Sequence, residues 1–348
     1  MKLSYLKYLF LVLLFVYACK KSDDAKEQIA SFLGFQRPKN FPEPVYAFAN
    51  NPVTKDGFEL GRMLFYEPRL SRDNTISCGS CHIQSSAFTQ HGHDVSHGID
   101  DRLGTRNSPP IMNLAWNKAF MWGGGVFDLD LQPIVPITTH EEMDEDLENV
   151  LNKLRQMPTY RNKFKAAFGS EQISTANFMK ALSQFMLMCV SSNAKYDKVM
   201  RKEQNVSFSA IEAEGYEIFK NKCGNCHKEP LFTDGDFRNN GLAPSAINDL
   251  GLYTATLIEG DKYKFKVPSL RNLKYTAPYM HDGRFLSLDA VFDHYIREVQ
   301  NTPNLDPSLV ANGIRGIAIN SDEKSKLLAF LNTLNDEEFI NNKLLAEQ

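Results

Sequence analysis

Two five-residue motifs constrain this chain more than any other feature. Cys78-Gly79-Ser80-Cys81-His82 and Cys223-Gly224-Asn225-Cys226-His227 both read CxxCH, the attachment pattern of c-type haem. The spacing has a chemical reason. Two thiols three positions apart on a helical turn reach the two vinyl groups of one porphyrin, and the next histidine lies under the iron as its proximal ligand. With six cysteines and eight histidines in 348 residues, one chance CxxCH is expected about once in several hundred such chains. Two are not chance. Zinc or thioredoxin-like CxxC chemistry fits less well, because a redox CxxC needs a βαβ setting and would not need the trailing histidine twice. The residues therefore predict two covalently bound haem c groups. Cys78, Cys81, Cys223 and Cys226 hold them, with His82 and His227 as proximal iron ligands.

The two remaining cysteines read differently. Cys189 ends an apolar helical stripe (Phe178, Met179, Leu182, Phe185, Met186) and reads as a buried structural thiol. Cys19 closes a leader with Lys2 and Lys7 ahead of an apolar run from Leu9 to Val16. That run is too short to span a bilayer and reads as a signal peptide. Its Ala18-Cys19 end resembles a bacterial lipoprotein box, which makes Cys19 the expected lipidation site. The expectation is a leader over 1–19, a tether and lead-in over 20–49, and a cell-envelope protein in the periplasm or at the cell surface, held to a membrane through a lipid anchor. Removing residues 1–18 takes away two lysines and no acids, so the net charge moves from −3 to −5. A chain with 39 basic and 42 acidic residues is not a nucleic-acid binder. Its 43% hydrophobic content supports a globular core.

The chain also repeats itself. A shift of 159 residues places Pro109 on Pro268, Asn113 on Asn272, Leu114 on Leu273, Met121 on Met280, Gly124 on Gly283, Leu129 on Leu288 and Asp130 on Asp289. Upstream of each haem motif stands Gly-x-x-x-Phe, at Gly61–Phe65 and Gly215–Phe219. The fold expected is all-α: two cytochrome c-like haem domains related by duplication, over 50–205 and 206–348, divided at the polar stretch 201–207. Leu147, Val150, Leu151 and Leu154 mark one buried helical face; Leu288, Val291, Phe292, Tyr295, Ile296 and Val299 mark another. Ser209 and Glu212 form a capping box for the helix leading to Cys223, and Ser321 caps a last helix. No alternating segment is long enough for a central sheet.

With these features in place, the chain resembles the bacterial dihaem cytochrome c peroxidase and MauG family over about residues 50–335. The resemblance is carried by Leu70-Ser71-Arg72-Asp73-Asn74-Thr75-Ile76-Ser77-Cys78, Arg106-Asn107-Ser108-Pro109, Trp122, Glu142-Met143, Val267-Pro268-Ser269-Leu270-Arg271-Asn272 and Tyr279-Met280-His281-Asp282-Gly283. It implies an N-terminal haem that meets peroxide and a C-terminal haem that relays electrons from a small cytochrome c or cupredoxin to H2O2. Glu142 matches the acid/base glutamate above the first haem, Trp122 the aromatic between the haems, and Gln132 a further pocket position. Among His91, His93 and His97, His97 best fits a loop histidine that blocks the first iron; without such a ligand that iron is open. Tyr295 falls where MauG proteins place a tyrosine ligand and peroxidases a methionine, with Met280 and His294 as rivals. The family's Ca2+ would take Asn107, Thr276 and Pro278. Trp122-Gly123-Gly124-Gly125 departs from the relatives' Trp-Asp-Gly-Arg and removes a charged pair. Two other functions stay open: MauG-like oxidation of a protein substrate through high-valent haem, and electron carriage without peroxide chemistry. A homodimer is compatible with the sequence but not specified by it.

Overall fold

Thr54 opens the first long helix. Its hydroxyl accepts the Gly57 amide at 3.1 Å, satisfying one orphan donor of α1 (Lys55–Phe65). Residues 32–348 are described, in a computed structural model; the leader and Cys19 lie outside the described residues. The first half continues with α2 (Cys78–Cys81), α3 (Ile134–Thr138), α4 (Leu147–Arg155), α5 (Pro158–Phe168), α6 (Thr175–Met188) and α7 (Lys195–Met200). The second half holds α8 (Ala210–Lys222), α9 (Tyr253–Thr256), α10 (Leu288–Asp293), α11 (Ser321–Asn332) and α12 (Glu337–Ile340). Among the described residues the named strands are two-residue pairs: β1 (Phe237–Arg238) antiparallel to β2 (Phe265–Lys266), and β3 (Val310–Ala311) to β4 (Ile314–Arg315). The architecture is helix-rich, and no described helix is long and apolar enough to cross a membrane.

Each half is built on one close helix pair, α1 on α6 and α8 on α11. The glycines of the Gly-x-x-x-Phe motifs make that approach feasible. A Cβ on Gly61 would stand 1.9 Å from the Ala181 carbonyl oxygen, and one on Gly215 would stand 2.0 Å from that of Lys326. One turn on, Phe65 and Phe219 are fully buried. The 159-residue shift reappears in the backbone. Asn113 and Asn272 have φ of 57° and 63°, Met121 and Met280 of 65° and 76°, and the bridge Phe120–Val126 corresponds to Tyr279–Phe285.

Two cores result. Phe58, Phe65, Phe88, Phe164 and Phe185 anchor the first; Tyr196, Phe219, Phe232 and Phe330 anchor the second. Packing crosses the 205/206 division in both directions. Tyr196 sits in the second core, while Phe339 and Leu345 return to the first. That return is pinned by backbone acceptors: Arg62 Nη1 donates to Leu344 O at 2.7 Å and Tyr66 Oη to Leu345 O at 2.8 Å. Cys189 is buried at the end of α6, its thiol donating to Phe185 O at 3.6 Å.

Local expectations hold with three corrections. The Ser209 amide donates to Glu212 Oε2 at 2.7 Å at the start of α8, and Val150, Leu151 and Leu154 are buried on α4. Ser321, however, is the first residue of α11, not its cap. Asn320 caps it, with Oδ1 accepting the Glu323 amide at 2.9 Å. Nor is α11 the last helix, because Asp336 caps α12 beyond it. The third correction is in the stripe from Leu288 to Val299. It is α-helical only to Asp293 and continues as a π-helical turn over His294–Glu298.

The halves are tied by a buried ion pair. Arg271 donates through Nη1 and Nη2 to Asp197 at 2.8 and 2.7 Å, and both side chains are 0% exposed. Truncating one partner leaves the other charge buried alone, at a cost of about 3–5 kcal/mol. Arg271→Met is therefore expected to lower the unfolding free energy of the haem-loaded protein, read from its urea midpoint and slope, by an amount of that order. An unchanged midpoint would show that the pair carries no net stability.

Candidate functional site

The first attachment centre is a single helical turn. Ser77 N–H donates to Ser80 Oγ at 3.1 Å and opens α2, which presents Cys78 and Cys81 as free thiols. His82 follows directly. Its Nδ1 lies 2.8 Å from the Phe88 carbonyl oxygen, with the Pro109 carbonyl as a second acceptor. A carbonyl can only accept, so Nδ1 carries the proton and the Nε2 lone pair is left for a metal. Burial pulls the His82 imidazolium pKa down, which keeps the ring neutral as ligation requires. Burial also pushes the thiols up, Cys78 to about 12 and Cys81 to about 11.

Glu142 lies beside these thiols, and its charge adds to the upward shift of both. It sits in the turn between α3 and α4, where its carbonyl accepts the Ile99 amide at 2.9 Å. The neighbouring acids are otherwise engaged. Asp144 pairs with Arg102 at 2.9 Å, Glu145 with Lys153 at 2.5 Å, and Asp146 caps α4. The Glu142 carboxyl makes no hydrogen bond or ion pair among the described residues. Burial, helped by Glu141, raises its pKa above the usual carboxylate range. Gln132 lies on the turn before α3, with Nε2 3.6 Å from Met121 Sδ. His97 is 37% exposed, with Nδ1 2.7 Å from Asp101 Oδ1; its carbonyl oxygen is 3.9 Å from Cys81 Sγ. His91 instead contacts Ser86 Oγ at 3.0 Å.

The second centre repeats the device. Cys223 and Cys226 are free thiols after α8. His227 Nδ1 is 3.1 Å from Phe232 O and 3.2 Å from Pro268 O. Cys223, Cys226, His227 and Pro268 line a cavity of about 250 Å3, together with Tyr295, Met280, Leu288, Phe292, Leu327 and Leu331. Free thiols, a neutral imidazole with its Nδ1 satisfied, and an apolar chamber suit a haem at this centre; the thiols and oriented imidazole suit one at the first. Tyr295 reaches the chamber from the π-helical turn, and burial pushes its hydroxyl up to about 12. Met280 also lines it, with Sδ 3.6 Å from Asn240 Nδ2. His294 does not: its Nε2 is 3.0 Å from Asn240 O.

Residues of the first half close this cavity. Trp122 lines it and donates through Nε1 to Asn107 O at 2.8 Å. The Asn107 amide donates to His281 O at 2.7 Å, and its side chain to Asp94 O at 3.0 Å. Thr276 and Pro278 line the same cavity as Asn107. No group of three or more His, Cys, Asp or Glu side chains among the described residues is arranged to hold a metal ion.

Sequence reasoning missed three features. The carbonyls of Phe88 and Phe232 orient the proximal histidines, and the signal was present as Phe-Thr after each motif (Phe88-Thr89, Phe232-Thr233). Lys266 lines the second cavity and carries no sequence signal. Arg106 pairs with Asp249 at 2.6 and 2.7 Å across 143 residues.

Residues 55–205 match the family described as di-haem cytochrome c peroxidase. The chain is 34% identical over 332 residues to the methylamine utilization protein MauG of Methylorubrum extorquens, covering 92% of this chain and 89% of that one. It is 33% identical over 305 residues to the cytochrome c551 peroxidase of Nitrosomonas europaea, covering 85% of each. Its fold superposes on the crystal structure of a MauG-like protein associated with microbial copper homeostasis with a TM-score of 0.79, at 32% identity over 90% of this chain and 99% of that one. Relatives named for both activities thus match over nearly the whole length. The chain belongs to the di-haem cytochrome c peroxidase and MauG family and is an oxidoreductase for two haem groups.

Proposed function

We propose that this protein reduces H2O2 to two waters, consuming two electrons and two protons, with a small cytochrome c or cupredoxin as donor. The observation that carries this reading is Glu142, a half-buried carboxyl without a partner among the described residues, beside the first pair of haem-attachment thiols. Cys78, Cys81 and His82 would hold one haem, and Cys223, Cys226 and His227 the other, each through two thioethers and an imidazole nitrogen. Haem, when bound, supplies the redox-active iron. The chain supplies the proton chemistry. Glu142 takes a proton from one peroxide oxygen and returns it to the other, so that water leaves. Its raised pKa suits it to hold a proton between the two events. We assign Gln132 to the same pocket on the resemblance to the family. Trp122, fixed by Asn107 O, lies on the electron path from the second centre, where the donor delivers.

Further assignments rest on the same reading. His97 is the removable ligand of the first iron, and Tyr295 the distal ligand of the second. Asn107, Thr276 and Pro278 hold a Ca2+, Asn107 through its side chain and the other two through carbonyls. The two units arose by duplication, which the matched backbone conformations at Asn113 and Asn272 support. The mature chain is an envelope lipoprotein anchored through Cys19. A second function, MauG-like oxidation of residues in a partner protein, is favoured by Tyr295 facing the second chamber. A phenolate ligand holds iron ferric where a methionine would favour ferrous.

The deciding experiment mixes the two-haem protein with H2O2 and a reduced small cytochrome c, with and without prior reduction of the enzyme. Fast peroxide-dependent donor oxidation is expected. Its absence in both arms would remove the peroxidase. Glu142→Gln is expected to cost about 10²–10⁴ in turnover; full activity in the variant would take Glu142 out of the mechanism. The same substitution has a stability signature. A carboxyl whose folded pKa is raised loses its stabilising protonation as pH rises through that pKa. Glu142→Gln should therefore be more stable than the parent above the folded pKa, with the gap closing as pH falls towards the ordinary carboxylate range. Thermal unfolding across pH reads this, and a pH-independent gap would contradict it. Finally, Tyr295→Met is expected to raise the potential of the second haem; an unchanged potential would remove Tyr295 as ligand.

A further inference from the structure

Three cations line the second cavity: Lys222, Arg238 and Lys266. Two are neutralised by this chain's own acids. Lys222 Nζ is 2.7 Å from Glu323 Oε1, and Arg238 is 2.6 Å from Asp234 and 2.8 Å from Asp306. Both sit at the thiol end, Lys222 acting on Cys223 and Arg238 on Cys226. Lys266 is different. It has no carboxylate partner among the described residues, and its ammonium makes one hydrogen bond, to Ala119 O at 3.1 Å. Burial pulls it down to about 8. Its position is nonetheless rigid. The backbone is paired between β1 and β2, and its amide donates to Trp122 O at 2.8 Å. One residue earlier on β2, Phe265 stacks on the buried His281, with ring centroids 3.6 Å apart and planes 14° apart. The His281 ring lines the cavity and makes no hydrogen bond among the described residues.

A buried ammonium without a counter-charge is costly, and a haem carries its own negative groups. Its propionates stand on the porphyrin edge away from the vinyls. Thiols that capture the vinyl edge at Cys223 and Cys226 therefore send the propionates away from Lys222 and Arg238. We infer that Lys266 is the propionate-binding residue of the second haem, its Nζ pairing with one propionate carboxylate. The inference rests on the reading that Cys223, Cys226 and His227 hold a haem. It makes Lys266 a positioning residue with two effects. Neutralising a propionate removes a negative charge that would otherwise favour ferric iron, so the second haem stays easier to reduce. The Lys266 backbone also holds Trp122 O, which sets the position of the propionate edge relative to Trp122.

The test uses the full two-haem protein with Lys266→Met and Lys266→Arg in parallel. Haem content by pyridine haemochrome comes first; a parent carrying no haem at the second centre removes the underlying reading, and the inference with it. With two haems in place, spectroelectrochemistry reads the second haem's potential and resonance Raman reads its propionate-bending band. Lys266→Met is expected to favour ferric iron by about tenfold, which is about 59 mV for one electron, and to move the band. Lys266→Arg, which keeps the charge, should retain the parental values of both. Parental potential and band in Lys266→Met, or an equal shift in both variants, would overturn the inference. Lys266→Gln replaces the methionine variant if that one does not fold, with the same two outcomes.

Discussion

Everything in the two attachment centres depends on a hydrogen bond that neither motif contains. A CxxCH turn can present two thiols and an imidazole, but the imidazole must face one way and carry its proton on one nitrogen. Backbone carbonyls impose both conditions, Phe88 O on His82 and Phe232 O on His227. Each carbonyl is aimed by a phenylalanine in the left-handed region, with φ of 59° and 56°. Such a conformation is uncommon for an aromatic residue and persists only when the surroundings enforce it. Here the side chains are buried, Phe88 in the first core and Phe232 in the second. Core packing is thus converted into ligand orientation.

The second cavity depends equally on the seam between halves. Asn107, Thr89, Pro110 and Trp122 reach it from the first half, the thiols and Tyr295 from the second. The seam is held by main-chain bonds such as Asn107 N to His281 O and Lys266 N to Trp122 O. It is reinforced by Arg271 on Asp197 and by the return of Phe339 and Leu345 to the first core. A site so built cannot be cut from the chain as an isolated module. Its geometry responds to changes in either half.

Much of this was legible in the residues. Both motifs, the repeated Gly-x-x-x-Phe, the capping box at Ser209 and the buried Cys189 were readable because side-chain chemistry or spacing encodes them. What was not legible has physical reasons. A backbone carbonyl acceptor leaves no side-chain signature beyond the Phe-Thr coincidence. The π-helical turn at His294–Glu298 buries nearly the same positions as an α-helix would over one turn, so periodicity cannot separate them. The return of the last residues to the first core and the Arg106–Asp249 pair are long-range contacts, which local patterns do not encode.

The glycines after Trp122 show how such a contact alters the meaning of a motif. In the second half the matching stretch is His281-Asp282-Gly283-Arg284, and Asp282 pairs with Arg284 at 2.5 Å. In the first half Gly123 and Gly125 stand at the charged positions, so the sequence alone reads as the loss of an ion pair. The structure puts another pair in the space. A Cβ on Gly123 would stand 2.9 Å from Arg106 Nη1 and 3.0 Å from Gly251 O, and Arg106 is held there by both carboxylate oxygens of Asp249. The Gly251 amide donates to the same carboxylate at 2.9 Å, which fixes the loop that carries it. A side chain at position 123 would have to displace this arrangement. The glycine therefore leaves room for Arg106 and Asp249, a charge pair that spans the two halves. The electrostatics beside Trp122 are set by residues 143 positions apart.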